Sequence, residues 1–499
     1  MKKGFKMMVL IALVSFLSLP RIGLAEEAEK AEKAEEAEDA VDIEEITVTA
    51  PREEEGVVLN PSSTTINVDE FKTPGIPQNV VDVLKTRAII DFRGGSDLFL
   101  ERDPIYMRGF GGKRFTVAVD GLALQTAHHG NDDADYNQLS LPLVRSIEII
   151  PGPHSPFYPG NSIGGVINIK TIEPKRYETL KPDVKVTGSY RSYNTQNYGI
   201  VVNGGVGSFV YDFWYQKYHT DGYLRNREAD LDLLTGRLGY VLPSDGYIYL
   251  TASYGNSDYE ESVINDPSRS DYDPGYPVTP SVWRSYAPWQ KPAMNKKDDS
   301  FRLDYNQPTP FGLWTLGAYY HHQRHTGEKL DYIDKKDKSK GIERVSSRDE
   351  KWREWGGRIQ DEIRLFEDHF ITVGYDVSDL YRNLMLASWD RPESRGKYQK
   401  IIGLSGLYIQ DKWQILPRLT MMPGLRYEMV EISWRNWNQK TKKYKNPLIP
   451  KDFIEKDYNQ VVPKFFTTYE LDDLSDVLRD TSISAGVSKI WTPVSYCIV

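Results

Sequence analysis

The sequence predicts a mainly β chain, in which a leading domain of short strands and turns precedes a long antiparallel sheet whose strands are built to cross a membrane. Three observations point there. Past Pro182, apolar and polar residues alternate with period two in segments of about ten residues, the length of a tilted transmembrane strand. Tyr outnumbers Phe 32 to 17 and Trp adds 11, an aromatic excess suited to strands with one face at a membrane interface. Beyond the N-terminus no stretch reaches the ~18 consecutive apolar residues of a spanning helix, which excludes a helical bundle.

Charge divides the chain further. The 499 residues carry a formal net charge of −9. Residues 1–25 contain Lys2, Lys3, Lys6 and Arg21 and no acid, whereas residues 26–55 hold 14 acids and three bases, so the remaining body is only −2. That body offers no field for nucleic acid, and its composition excludes collagen, coiled coil and a disordered chain. The single Cys497 allows neither an internal disulfide nor a thiolate metal cluster.

The elements follow in order. Residues 1–25 read as a cleaved export signal, with a basic start, an apolar run from Met7 to Leu19 and the small-residue end Gly23-Leu24-Ala25. The run is too short to anchor in a membrane. Residues 26–55 form an acidic tether with no apolar face to bury. Near its end, Glu45-Ile46-Thr47-Val48-Thr49-Ala50 is a β-prone segment stopped by Pro51. An extended segment on a polar leash is what strand addition to a partner's sheet edge requires.

Two segments dominate residues 56–175. One runs Ile105-Tyr106-Met107-Arg108-Gly109-Phe110 and on through Ala118-Val119-Asp120-Gly121; the other runs Ile147-Glu148-Ile149, Gly152-Pro153, Tyr158-Pro159-Gly160 and Gly164-Gly165-Val166-Ile167-Asn168-Ile169. The glycine-rich turn before Lys113 is not a phosphate loop, because Met107 stands at the first glycine position and Arg114 replaces the Ser/Thr. The ordered motifs closely resemble the plug domain of TonB-dependent outer-membrane receptors. Glu45 to Ala50 resembles that family's TonB box, and Gln78 to Ile90 its early helix. The chain departs from the pattern at Pro151, at the inserted Pro159 and at Arg87-Ala88-Ile89.

The resemblance implies an α/β plug followed by a barrel of ~22 antiparallel strands, over residues 183–499. It implies active uptake across the outer membrane of a Gram-negative bacterium after Sec export. The partners implied are the TonB energy-transducing protein in the periplasm, outer-membrane lipid and a small-molecule metal chelate, an iron-siderophore before cobalamin or haem. It also implies an ionic lock between Arg108, with Arg145 as a second member, and acids on the barrel wall. A buried, paired arginine can hold a reversible interface. A passive porin would need neither plug nor TonB box; an inert product of a broken gene is the other alternative.

In the barrel region, Phe209, Tyr211, Phe213 and Tyr215 alternate with Val210, Asp212, Trp214 and Gln216, and Leu425, Tyr427 and Met429 with Gly424, Arg426 and Glu428. The segments 365–370 and 415–418 read as tight turns, and those near 257–298 and 325–353 as long polar loops. No catalytic spacing is present, so neither an enzyme nor a cofactor is expected. His321 and His325 share a strand face ~13 Å apart at ~3.3 Å per residue, too far to chelate one ion. His128, His129, Asp132, Asp133 and Asp135 bring imidazoles and carboxylates together in a plug loop and are the candidate ligand or metal contacts.

About 13 strand candidates lie between 184 and 491, too few to surround a plug, and an open edge in lipid leaves backbone groups unpaired. The 499-residue chain is therefore expected to be a partial barrel with no heat-dependent shift on a gel. A version extended by further strands should show one, and a heat-modifiable band from the 499-residue chain would refute the partial-barrel expectation.

Overall fold

The computed structural model describes residues 63–68, 80–87, 89–92, 105–111, 114–124, 136, 141–152, 156–159, 162–173, 176–279, 286–334, 337–366, 368–386, 396–438, 454–471 and 481–491. The expected export signal, tether and TonB box lie outside the described residues, as does the loop with His128, His129, Asp132, Asp133 and Asp135.

The leading domain contains β1 (Thr64–Asn67), α1 (Val80–Leu84), β2 (Ile90–Phe92), β3 (Ile105–Met107), β4 (Phe110–Gly111), β5 (Phe115–Val119), β6 (Leu122–Leu124), β7 (Val144–Pro151) and β8 (Gly165–Thr171). Its main sheet has the order β1-β7-β8-β5-β6, and β2, β3 and β4 make a smaller one. β5 pairs parallel with β8, and the other pairs are antiparallel. Every residue of β5 is buried, which suits an apolar run covered on both faces. Ile66, Val83, Leu84, Ile105, Met107, Ile147, Ile149, Ile167 and Ile169 form the core against α1.

The helix is shorter than the sequence suggested. Among the described residues it occupies five, and Ile90 already pairs with Met107 across β2 and β3. Val80, Val81 and Val83 are β-branched and gain little from helix beyond the turn that buries them. Arg87 then closes that turn through its N–H to Leu84 O at 3.0 Å.

The second region is one 13-stranded sheet, formed by β9 (Asp183–Arg191), β10 (Thr195–Val206), β11 (Phe209–Thr220), β12 (Ala229–Val241), β13 (Tyr247–Glu260), β14 (Ala293–Thr309), β15 (Gly312–Tyr332), β16 (Ile342–Leu365), β17 (His369–Leu386), β18 (Gly396–Leu416), β19 (Leu419–Asn438), β20 (Ile454–Glu470) and β21 (Ser482–Ser488). Each strand pairs antiparallel with the next, and among the described residues the margins β9 and β21 do not pair with each other. The alternation read from sequence holds in space. Phe213, Leu238, Leu250, Phe301, Leu425 and Tyr427 are exposed on the outer face, whereas Trp214, Arg237, Arg426 and Glu428 are buried on the inner one.

Strand length differs from the ten-residue expectation. β15 has 21 residues and β16 has 24, so most of the segment 325–353, expected as loop, is paired strand. The polar residues there still alternate inward and outward, but with no apolar face the alternation carries no hydropathy signal. Most turns at one end of the sheet, such as Pro310–Phe311 and Pro417–Arg418, are short, and most connections at the other end, such as 261–292, are longer.

The 261–292 connection is built around Asn265, which is 1 % exposed. Its Nδ2 donates to Asp273 O at 2.9 Å, Tyr276 O at 3.0 Å and Pro277 O at 3.1 Å, and its Oδ1 accepts from Asp273 N at 3.0 Å. Arg225 Nη1, in the neighbouring connection between β11 and β12, donates to Asp271 O at 2.5 Å. Replacing one such buried partner costs ~1–3 kcal/mol. Asn265→Leu is therefore expected to speed tryptic cleavage at Arg269 severalfold with the strands intact; unchanged cleavage would show that the loop is held by other contacts.

Candidate functional site

The site is the seam where the leading domain meets the inner face of the sheet. Asp120 and Gly121 have φ of 45° and 81°, the left-handed pair of a tight hairpin turn between β5 and β6. Asp120 also fastens β8: its Oδ1 accepts from Thr171 N at 2.8 Å and its Oδ2 from Thr171 Oγ1 at 2.9 Å. Gly121 N donates to Asn168 Oδ1 at 2.9 Å. The Asp-Gly end of the sequence motif is thus the tip of the domain, presented to the wall.

Arginines on the wall receive it. Arg302 on β14 donates from Nη1 to Val119 O at 2.9 Å, and its Nη2 lies 3.4 Å from Asp120 Oδ2. Asp304, two residues along the same face, holds the guanidinium at 2.6 Å. Arg358 on β16 donates from Nη2 to Phe157 O at 2.5 Å and sits 5.4 and 5.6 Å from the ring centres of Tyr158 and Tyr408. Arg237 on β12 donates to Ile172 O at 3.1 Å while Asp212 pairs with it at 2.7 Å. The Tyr319 hydroxyl lies between Glu354 Oε1 at 2.7 Å and Ala123 O at 3.3 Å. Each charge-assisted hydrogen bond contributes ~1.5–3 kcal/mol when its donor is already oriented.

One apolar patch joins the two layers. Ala118, Ile150, Phe157, Tyr158 and Val166 pack with Tyr408 of β18, and the Phe157 and Tyr408 rings meet edge to face at 5.5 Å. Burial pushes the Tyr158 phenol well above its ordinary range, against the opposing pull of Arg358. Beside this patch, a cavity of about 150 Å³ is lined by Asp120, Leu122 and Thr171 from the domain and by Arg237, Arg302 and Tyr319 from the wall. It is large enough for water and carries the polar groups to hold it.

The structure redistributes the residues expected from sequence. Among the described residues, Arg108 makes no buried contact with the wall. It sits exposed in the β3–β4 turn with φ of 52° and makes no ion pair among the described residues. Arg145 lies 3.6 Å from Glu173, within the leading domain's own exit segment. The arginines at the seam belong to the wall and their acceptors to the inner domain, the reverse of the expected polarity. A main-chain oxygen needs no particular side chain, so the motif holding Val119 and Asp120 did not by itself mark them as the acceptors. The wall did carry a signal: Arg302 with Asp304, Arg348 with Glu350 and Arg426 with Glu428 are spaced two apart, which places each pair on one strand face.

His321 and His325 meet different partners. His321 faces Asp298 at 3.2 Å, and His325 faces the Tyr259 hydroxyl at 2.9 Å. Among the described residues, His219, Glu228 and Asp230 bring donor atoms within 4.8 Å of one another. His219 is already engaged by Asp230 at 3.0 Å and Asp221 at 3.2 Å, so the group stands as a hydrogen-bonded cluster on the β11–β12 hairpin.

Comparison with known proteins accounts for both layers. The TonB-dependent receptor plug domain matches residues 59–166, and the TonB-dependent receptor-like β-barrel matches residues 242–496. The fold is similar to the ferric yersiniabactin uptake receptor FyuA from Yersinia pestis, with 15 % identity over 83 % of this chain and 62 % of that one at a TM-score of 0.65. It is similar to the copper transporter OprC, with 16 % identity over 86 % and 64 % at 0.67, and to the siderophore receptor PiuA from Acinetobacter baumannii, with 13 % identity over 82 % and 62 % at 0.62. The chain thus spans about three-fifths of the length of these structures. With a plug domain seated by wall arginines on the inner face of an antiparallel sheet, and both family models matched in order, the chain belongs to the TonB-dependent receptor family.

Proposed function

We propose that the protein is an outer-membrane transporter that takes up a scarce metal chelate, an iron-siderophore in the first instance, when TonB pulls on its plug. The observation that carries this reading is the chemistry of the seam. Beside the apolar patch, the plug meets the wall through arginine hydrogen bonds to Val119 O, Phe157 O and Ile172 O and through the Arg302–Asp120 contact at the edge of a cavity. Such contacts exchange with water when broken, so the plug can leave the wall and return at modest cost. A passive pore has no use for a seated plug. The short turns would face the periplasm and the long connections the exterior, the usual outer-membrane layout.

The metal-chelate class draws support from the ferric yersiniabactin, copper and siderophore receptors whose fold the chain shares. Energy coupling is assigned to Glu45, Ile46, Thr47, Val48, Thr49 and Ala50, ahead of the plug. His128, His129, Asp132, Asp133 and Asp135 are proposed as chelate contacts on the plug's exterior side.

Two experiments test these assignments. Strand addition depends on backbone hydrogen bonds, so Val48→Pro is expected to abolish energy-dependent uptake of labelled ferric chelate by iron-starved cells while surface binding persists. Wild-type uptake by that variant would remove the TonB-box assignment. At the seam, Arg302→Ala strips Asp304 and Asp120 of their partner. Those carboxylates remain 22 % and 27 % exposed, so the cost should be about 2 kcal/mol, below the ~3–5 kcal/mol of a fully buried pair. The plug should become distinctly more protease-sensitive in Arg302→Ala and unchanged in Arg108→Ala; the opposite ranking would restore Arg108 as the lock.

A further inference from the structure

One arginine of the seam stands without a carboxylate. Elsewhere on the inner face, Arg237 pairs with Asp212, Arg302 with Asp304, Arg348 and Arg382 with Glu350, and Arg426 with Asp376. Arg358 has only neutral partners among the described residues, the main-chain oxygen of Phe157 and the rings of Tyr158 and Tyr408. Its Nε is buried and has no hydrogen-bond partner. A cation withdrawn from water without an opposite charge is costly.

The plug closes over this group. At the hairpin tip, a Cβ on Gly121 would stand 2.8 Å from Arg358 Nη1, and a Cβ on Gly317, directly opposite Arg358 on β15, would stand 2.6 Å from Leu122. A second cavity between plug and wall, of about 60 Å³, is lined by Arg358 and by Thr315, whose hydroxyl is likewise buried without a partner. Thr315 is two residues from Gly317, so its side chain shares the inner face with Arg358. Arg145, Lys170 and Arg237 add positive charge to the lining. The acids on the lining are engaged by other groups: Asp120 and Asp304 lie 3.4 and 2.6 Å from Arg302, and Glu173 lies 3.6 Å from Arg145.

Volume limits what this cavity can take. One water needs ~10–15 Å³ of such space, so about 60 Å³ admits a small ion with a water or two and excludes a metal chelate. The Nε–H of Arg358 and the hydroxyl of Thr315 both call for an acceptor, and the unanswered charge calls for an anion in place of water alone.

We propose that the seam binds a small inorganic anion of halide size through Arg358 Nε and Thr315 Oγ1, and that this anion clasps the seated plug to the wall. The plug supplies part of the cavity, so the anion binds the seated state and favours it in proportion to its own concentration. The site is independent of the transported ligand and of TonB, and its test involves no uptake. The purified chain in detergent is titrated with sodium chloride in place of sodium gluconate at constant ionic strength, with binding read by chloride NMR line broadening and plug seating by limited proteolysis. Broadening should be seen in the parent and in Arg108→Gln, and it should be lost in Arg358→Gln. Thr315→Val keeps the Arg358 bond to Phe157 O, so its plug remains seated, and its chloride affinity should fall about fivefold through the loss of one hydrogen bond. Cleavage of the parent's plug should slow about tenfold at a chloride level ten times the Kd. Equal broadening in the parent and Arg358→Gln would assign the chloride to surface charges and overturn the site, as would parental affinity in Thr315→Val. Equal cleavage in chloride and gluconate would overturn the clasp.

Discussion

Everything in the larger region depends on one constraint: a backbone that passes through lipid must satisfy its polar groups from within the protein. The antiparallel ladder does this for strands β10 to β20, each paired on both sides. Once the ladder is fixed, the two faces of every strand are fixed with it, because side chains alternate with period two. Arg237, Arg302 and Arg358 point inward for the same reason that Leu238, Phe301 and Ile359 point outward. The seam and the outer face are therefore two consequences of one register.

Inside, the register sets rigid donors against a domain that supplies acceptors from its main chain. Arg302 is oriented by Asp304, Arg237 by Asp212, and Arg358 by the rings of Tyr158 and Tyr408. A guanidinium held in this way can lose its carbonyl to water and recover it, whereas burying an arginine of the plug in the wall would demand a paired acid at the point of contact. Placing the charge on the wall means that the hydrogen bonds to Val119, Phe157 and Ile172 are made by main-chain oxygens and ask for no charged side chain on the plug. It also explains why Asp120, which fastens Thr171 as well as facing Arg302, stands at the hairpin tip.

The sequence by itself determined the β class, the order of an inner domain before a strand-rich region, the assignment of residues to opposite faces in β11 and β19, and about 13 strands. These are local properties: period two, turn residues and ordered motifs are written within ten or so residues of chain. It did not determine where the polar strands of β15 and β16 end, since a ribbon with two polar faces has the hydropathy of a loop. Nor did it place the seam contacts. Arg108 looked decisive as part of a motif, but among the described residues it sits exposed in a left-handed turn. Arg302 reaches Val119 O across 183 residues of chain. Such a contact exists only once β14 has been carried opposite the plug by every pairing before it, so tertiary structure alone decided it.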